Sequence, residues 1–329
     1  MRAIISGVGH YVPDKILSNS DLEKMVDTND EWITTRTGIK ERRILDKEKG
    51  TSFMATKAAQ MVLEETSTSP EELDLILMAT VTPDMPVPSA ASFVQRNLGA
   101  SNSWGFDING GCTGFVCALT TGAQFIESGR HKKVLVIGAD KMSAITNYED
   151  RTTCVLFGDA AGAVLLELCE NDHLGIEDFI LHLDGAGAES LMIAAGGSLH
   201  PTSQETLDKK MHYISQDGKT VFKHAVVGMA DVSAKIVERN NLGDEDIRFF
   251  IPHQANYRII DAAAKKMGLD PERVVININK YGNTTAATIP LAISETYRAN
   301  KLQKGDWIVL AAFGAGFTWG SVLLRWALD

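Results

Sequence analysis

Cysteine is scarce in this chain of 329 residues: four are present, at positions 112, 117, 154 and 169, and no two stand in a Cys-x-x-Cys spacing. That excludes a disulfide-dense scaffold and a zinc ribbon, so reduced thiols and no metal site are expected. Net positive charge is missing too. A formal charge of −10 argues against a general nucleic-acid binder, while leaving room for a local basic patch that docks an acidic partner. No apolar run is long: Ile308 to Phe317 covers about half of the ~20 residues that a bilayer crossing needs. The opening Met1-Arg-Ala-Ile-Ile-Ser-Gly-Val-Gly-His10 has too short a core for a secretory signal, which predicts a cytoplasmic protein without a membrane partner. Gly7-Val-Gly9 is only a two-glycine match to a nucleotide loop, and His-Tyr-Val-Pro follows it where a helix would have to begin.

What is present is an ordinary globular composition, 44% hydrophobic and 22% charged, on a chain long enough for two core-bearing units or one large one. Apolar β-type runs alternate with helical patterns throughout, the signature of an α/β protein with a largely parallel sheet. The second half echoes the first in three places. Pro70-Glu-Glu-Leu-Asp-Leu-Ile-Leu-Met-Ala-Thr80 matches Gly243-Asp-Glu-Asp-Ile-Arg-Phe-Phe-Ile-Pro-His253. Lys132-Lys-Val-Leu-Val-Ile-Gly138 matches Gly305-Asp-Trp-Ile-Val-Leu-Ala311, and the run from Phe157 to Leu168 matches that from Phe313 to Arg325. Echoes in one order imply duplication, with halves at 1–172 and 173–329 that share a junction where ligands bind. Two stretches break the symmetry, an insert at 141–156 and a Gly-, Ser- and Thr-rich excursion at 184–220; such excursions build specificity or subunit contacts.

Cys112 ends a strand-like run at Gly110-Gly111 and opens a helix-like run with apolar residues at 115, 116, 119, 123 and 126 and a closing Gly129. A helix start lowers a thiol's pKa, so the reading is a nucleophile; its bland counterpart is a buried structural cysteine. The echoes put Asn283 at the position corresponding to Cys112 and open His253 into the same space. Thiolate, imidazole and carboxamide together suit acyl transfer, the first taking an acyl group and the others donating to an oxyanion. The plain alternatives are a hydrogen-bonded core histidine at 253 and a helix N-cap at Asn283, a role that can hold alongside catalysis.

Four motifs carry a family likeness. Gly-Cys112-Thr-Gly-Phe, His253-Gln-Ala-Asn256, Tyr281-Gly-Asn283-Thr-Thr-Ala and Phe313-Gly-Ala-Gly-Phe-Thr-Trp-Gly-Ser resemble β-ketoacyl-[acyl carrier protein] synthase III over the whole chain. The segment Asp30-Glu-Trp-Ile-Thr-Thr-Arg-Thr-Gly-Ile-Lys-Glu-Arg-Arg43 looks like that family's entrance. The resemblance implies a thiolase-like α/β fold, two duplicated halves layered α-β-α-β-α, and a homodimer. It also implies an initiating condensation of an acyl-CoA primer with malonyl-acyl carrier protein, with no permanently bound cofactor. Carried over residue by residue, Cys112 is acylated, His253 and Asn283 stabilise the enolate left by decarboxylation, and the backbone N–H groups of Cys112 and Ala315 form the oxyanion hole.

Trp32, Arg36 and Arg151 match CoA entrance positions and Asn256 the residue touching pantetheine; Asp30 to Gly38 reads equally as a capped surface helix. Val87, Met142, Phe157 and Phe313 match the acyl pocket, Val87 from across the dimer. Lys223, Arg258, Lys265 and Lys266 match the basic face that docks the carrier protein, and otherwise form a solvated helix face. The chain departs from the family at Gly110-Gly111, where Ala-Ala or Ser-Ala is common, and at Ala315 in a loop that is commonly all glycine. A negative φ is expected at Ala315, because a positive one costs about 1–2 kcal/mol. Competing readings are a secondary-metabolic relative on the same fold, a degradative thiolase, which needs a second cysteine late in the chain where none lies beyond Cys169, and a non-catalytic scaffold.

Overall fold

The computed structural model describes residues 1–171 and 173–329. Counting only the strands of the two main sheets, β1 (Arg2–Tyr11), β2 (Leu75–Ala79), β3 (Trp104–Ile108), β4 (Lys133–Lys141) and β5 (Asp159–Cys169) form the first sheet in the order β1-β5-β4-β2-β3. The second contains β6 (Gly175–Leu183), β7 (Ile247–Pro252), β8 (Trp307–Gly314) and β9 (Thr318–Arg325) in the order β7-β8-β9-β6. Reversing that list aligns β6, β9, β8 and β7 with β1, β5, β4 and β2. The counterpart of β3 is reduced to a single parallel bridge from Phe250 to Val274. Each pair of sequence echoes therefore lies on equivalent strands. The expected boundary between 172 and 173 falls at Asp172, outside the described residues.

The sheets are mixed, which corrects the expectation of largely parallel ones. β2 runs parallel to β3 and β4, and β7 to β8, but β5 is antiparallel to β1 and β4, and β9 to β8 and β6. The reason lies in the connections. Parallel neighbours need a crossover, usually a helix, whereas the 315–317 turn returns the chain directly from β8 into β9 and forces antiparallel pairing.

Five layers result. α1 (Asp30–Thr37) stands apart at the entrance, started by Asn29, which accepts from Trp32 N, and ended by Gly38 at φ +85°. α2 (Thr51–Thr66) and α3 (Ala90–Leu98) cover the outer face of the first sheet, burying Met54, Ala58, Val62 and Val94. α5 (Gly218–Arg239) and α6 (Tyr257–Lys266) cover the second, burying Met229, Ile236, Ile260 and Ala263. Between the sheets lie α4 (Gly114–Glu127) and α7 (Thr288–Arg298). Phe115, Leu119 and Ile126 of α4 share one core with Ile289 and Ile293 of α7, Val136 of the first sheet and Leu310 of the second. A helix sandwiched this way must be apolar nearly all round, as α4 is.

The central layer presses on the sheets at backbone distance. An added Cβ on Gly162 of β5 would lie 2.5 Å from Leu291 N and 2.7 Å from Pro290 C, so no side chain fits. Gly162→Val is expected to lower unfolding stability by at least about 1–3 kcal/mol in chemical denaturation. Gly185→Ala, whose Cβ meets nothing within 4 Å, serves as the control and should change little.

Candidate active site

The two central helices begin in the same way. Before α4 comes a 3₁₀ turn, Gly111–Thr113, and before α7 another, Thr285–Ala287; both open on a positive φ, +56° at Gly111 and +51° at Thr285. The residues ahead also match, Gly110 at φ −123°, ψ 20° and Thr284 at φ −99°, ψ 23°. Aligning these turns pairs Cys112 with Ala286, so the expected equivalence of Cys112 and Asn283 is off by three residues. Asn283 corresponds to Asn109. The motif spacing could not reveal this, because α7 is preceded by an extra helical turn, Ile278–Tyr281.

The turns also account for the paired glycines. Gly111 occupies the left-handed region, where a Cβ would meet Ala315 N at 3.1 Å, and a Cβ on Gly110 would meet Gly114 Cα at 2.9 Å. From the other half, Gly314 approaches so closely that its Cβ would stand 2.7 Å from Cys112 N. The backbone N–H groups of Cys112 and Ala315 are thus neighbours across the junction. Ala315 is not among the residues with positive φ, as expected.

His253 follows β7 directly, its N–H donating to Ala311 O at 2.8 Å, and is 1% exposed. Its Nδ1 lies 2.7 Å from Thr288 Oγ1, and its buried Nε2 has no hydrogen-bond partner among the described residues. Thr288 Oγ1 also lies 3.0 Å from Thr285 O, a carbonyl that can only accept. With the hydroxyl donating to that carbonyl, Nδ1 carries the proton and Nε2 is an acceptor; turned towards Nδ1, the hydroxyl makes Nε2 a donor. Asn283 pairs with Phe157 across the halves, its N–H donating to Leu156 O at 2.8 Å and its O accepting from Gly158 N at 3.1 Å. Its Oδ1 accepts from Thr285 N at 2.9 Å. That is a side-chain turn ahead of the 3₁₀ segment, so the expected N-cap is corrected: the cap position belongs to Thr284, which makes no side-chain cap bond.

Cys112, His253 and Asn283 all line one cavity of about 620 Å³, which runs to Trp32 at the entrance. Met142, Phe157 and Phe313 line it too, together with Leu191, Met192 and Ile214 from the 184–220 excursion, which the sequence reading did not single out. Val87 does not; it is 82% exposed on its own chain. Asn256 lines the cavity and caps α6, its Oδ1 accepting from Arg258 N at 2.9 Å and its Nδ2 donating to Arg36 O at 3.0 Å. Arg36 and Arg151 hold their Cζ atoms 5.9 and 5.0 Å from the Trp32 ring centre, and Arg151 also pairs with Asp27 at 3.6 Å. On the packed helices α5 and α6, Lys265 and Lys266 are paired with Asp261 and Asp231 at 2.8 and 3.2 Å. Arg258 instead lies over the Phe222 ring at 4.7 Å, and Lys223 stands on the same α5 segment.

Burial, not the helix start, controls the thiol. Loss of water pushes Cys112 up to about 12, the buried Asp140 carboxylate adds to the push, and only Cys112's own N–H works against it. The expected lowering is therefore reversed. Burial also drives His253 down to about 3, which keeps the imidazole neutral. A neutral thiol and a neutral imidazole line the same cavity, and a thiol of this kind becomes a nucleophile only if a base takes its proton during attack.

A thiol, an imidazole and a carboxamide at the junction of duplicated α/β halves define a condensing enzyme of the thiolase fold. Residues 106–185 match the family described as 3-oxoacyl-[acyl-carrier-protein (ACP)] synthase III, and residues 237–326 match its C-terminal part. The β-ketoacyl-[acyl-carrier-protein] synthase III of Chlorobaculum tepidum is 56% identical over 99% of this chain and 100% of its own. Among solved structures, the Aquifex aeolicus 3-oxoacyl-[acyl-carrier-protein] synthase III is 46% identical, with a TM-score of 0.90 over 98% of this chain and 100% of its own. The priming β-ketosynthase of the R1128 polyketide pathway is 31% identical, with a TM-score of 0.91 over 99% and 96%. The chain belongs to the β-ketoacyl-[acyl-carrier-protein] synthase III family.

Because the free thiol is pushed up to about 12, its ionised fraction should still be growing well above neutrality. Inactivation by iodoacetamide is expected to accelerate with pH through 9 and beyond without levelling. A plateau near pH 7 would mean that the helix start prevails over burial.

Proposed function

We propose that this protein joins an acyl-CoA primer to malonyl-acyl carrier protein with loss of carbon dioxide, giving 3-oxoacyl-acyl carrier protein and starting fatty acid synthesis. The observation that carries this reading is the convergence of Cys112, a His253 Nε2 without a partner among the described residues, and Asn283 on one mostly apolar cavity that reaches Trp32. In the first half-reaction, Cys112 Sγ attacks the thioester carbonyl of acyl-CoA while His253 Nε2 takes the thiol proton. The oxyanion forms against the N–H groups of Cys112 and Ala315, and its collapse expels CoA thiolate, which receives that proton.

In the second, the malonyl thioester loses carbon dioxide and its electron pair moves into an enolate. With the Thr288 hydroxyl turned to Nδ1, His253 is in its other neutral tautomer, and its Nε2–H and the Asn283 amide donate to that enolate oxygen. Its carbon then attacks the acyl-Cys112 carbonyl, and the tetrahedral adduct releases the product and the Cys112 thiolate, which takes up a proton. The imidazole acts here as a neutral donor, and donors already set in place stabilise developing charge without reorganising.

Arg151 occupies the face of Trp32 on which an adenine would stack, so CoA entry requires it to move aside from Asp27. Asn256 is proposed to touch the pantetheine arm. Of the four docking cations, Arg258 and Lys223 are the better placed to meet an acidic carrier protein, because Lys265 and Lys266 are already paired. A homodimer is supported by the free edge of β3, where Trp104 is 50% exposed, and by the open Met85 and Val87, 44% and 82% exposed, in the loop after β2. The halves 1–172 and 173–329 are proposed as the structural units and the cytoplasm as the site of action; among the described residues no helix is long and apolar enough to cross a membrane.

Intact-mass analysis after mixing with acyl-CoA tests the roles. Cys112→Ala should gain no acyl group, Asn283→Ala should gain it normally yet lose condensation, and His253→Ala, lacking the proton acceptor, should gain it more slowly and also lose condensation; an adduct on Cys112→Ala would overturn the nucleophile. With Val87 in place of a bulky residue and Met192, Ile193 and Leu191 along the cavity, primers longer than acetyl should also react. Initial rates with acetyl-, isobutyryl- and octanoyl-CoA decide that, and a strict acetyl preference would refute it.

A further inference from the structure

We infer that Asp140 is a positioning residue for condensation: its buried carboxylate holds Thr285 in a left-handed turn from which both Asn283 and His253 take their orientation. This rests on the proposed roles of Asn283 and His253.

Thr285 is an unlikely residue for its backbone. A β-branched side chain at φ +51° is strained and persists only where its surroundings over-determine it. The first half builds the equivalent turn with Gly111, at φ +56° and without strain. The second half therefore keeps Thr285 against a conformational penalty, and its contacts indicate why. The hydroxyl donates to Asp140 Oδ2, and Ala286 N donates to the same oxygen at 3.2 Å. Thr285 N fixes Asn283 by donating to its Oδ1 at 2.9 Å, which turns the amide nitrogen away from that bond. Thr285 O accepts from Thr288 Oγ1 at 3.0 Å, and that hydroxyl lies 2.7 Å from His253 Nδ1. One residue thus spends its side chain on Asp140, its N–H on Asn283 and its carbonyl on the partner of His253.

Asp140, at the end of β4, is itself rigidly held. Its Oδ1 accepts from Val81 N at 2.8 Å, Thr82 N at 3.1 Å, Thr80 Oγ1 at 3.0 Å and Thr82 Oγ1 at 2.8 Å. The carboxyl is 0% exposed and all six of its partners are neutral donors, so it is a hydrogen-bond hub and not half of an ion pair. Each oxygen takes at least one backbone N–H. An asparagine there would turn its own N–H₂ against one of them, whichever way the amide lay. The first half, which supplies the nucleophile, in this way also aligns the donors supplied by the second.

Rates of the two half-reactions, measured separately, test the inference: acylation of Cys112 by mass, and decarboxylation and condensation with malonyl-acyl carrier protein. Thr285→Val removes the hydroxyl and keeps the shape; Thr285→Gly removes the hydroxyl and the backbone strain together, so it folds even if Thr285→Val or Asp140→Asn does not. Both Thr285 variants are expected to slow condensation about 10- to 100-fold, the scale of a small misplacement of reacting groups, with acylation slowed far less and the KM for the malonyl carrier nearly unchanged. Thr285→Ser, which keeps the hydroxyl, should restore condensation. The inference is overturned if Thr285→Gly condenses normally, if both half-reactions fall in equal proportion, or if Thr285→Ser is as slow as Thr285→Gly. Asn283→Ala measured in parallel separates the two levels. Normal condensation by that variant refutes the proposed role of Asn283; loss of condensation there with normal Thr285 variants refutes only the positioning by Asp140.

Discussion

Everything at this site depends on main chain meeting main chain where the two halves join. Gly314 leaves no room for a side chain beside Cys112 N, Gly111 faces Ala315 N, Phe157 bridges to Asn283, and Thr285 reaches Asp140. These contacts cross from one half to the other, and each is short enough that a methyl group would disturb it or a missing hydroxyl would release it. Neither half has a site alone. The first carries the thiol and the Asp140 carboxylate, the second the imidazole, the amide and the Ala315 N–H proposed as an oxyanion donor. Protein interiors transmit such constraints because they are packed as densely as crystals, so the central helices and the turns that start them move together or not at all.

The second consequence of the junction is burial. Burial raises the acid and weakens the base: Cys112 goes up, His253 goes down, and both rest uncharged. Reactivity then depends on a proton moving in step with attack, and little thiolate stands exposed to chance electrophiles between turnovers. The same burial strengthens every hydrogen bond offered to an oxyanion or enolate. A helix N-terminus does lie behind the sulfur, as the chain pattern implies, but burial outweighs the lowering that Cys112's own N–H supplies.

Local pattern was legible wherever residues act within a few positions of each other. The entrance helix begins at Asp30 and stops before Gly38 as its cap residues imply, and α4 buries Phe115, Val116, Leu119, Ala123 and Ile126 at the spacing expected of it. The three echoes lie on equivalent strands, because buried strands of one topology call for similar apolar runs. What stayed illegible involved register and direction. An extra helical turn before Asn283 moved its counterpart from Cys112 to Asn109, and connections without a crossover helix, at 142–158 in the first sheet and at 315–317 in the second, made both sheets mixed. Asp140 carried a faint signal, a carboxylate closing an apolar strand, and so did Thr285-Ala-Ala-Thr288, two hydroxyls three apart at a helix start. Neither signal names a partner, since hydrogen bonds to residues 145 positions away leave no spacing to read.

The order of residues along the chain was enough to settle an α/β fold of repeated halves, a thiol at a strand-to-helix turn, and a family likeness in four motifs, because propensity, periodicity and motif chemistry are local properties. Only the folded arrangement decided which groups face one another across the junction, that the 184–220 excursion walls the cavity, and that the thiol's acidity falls where the helix start alone would raise it. Desolvation and contact are properties of what surrounds a residue, and its surroundings come from distant parts of the chain.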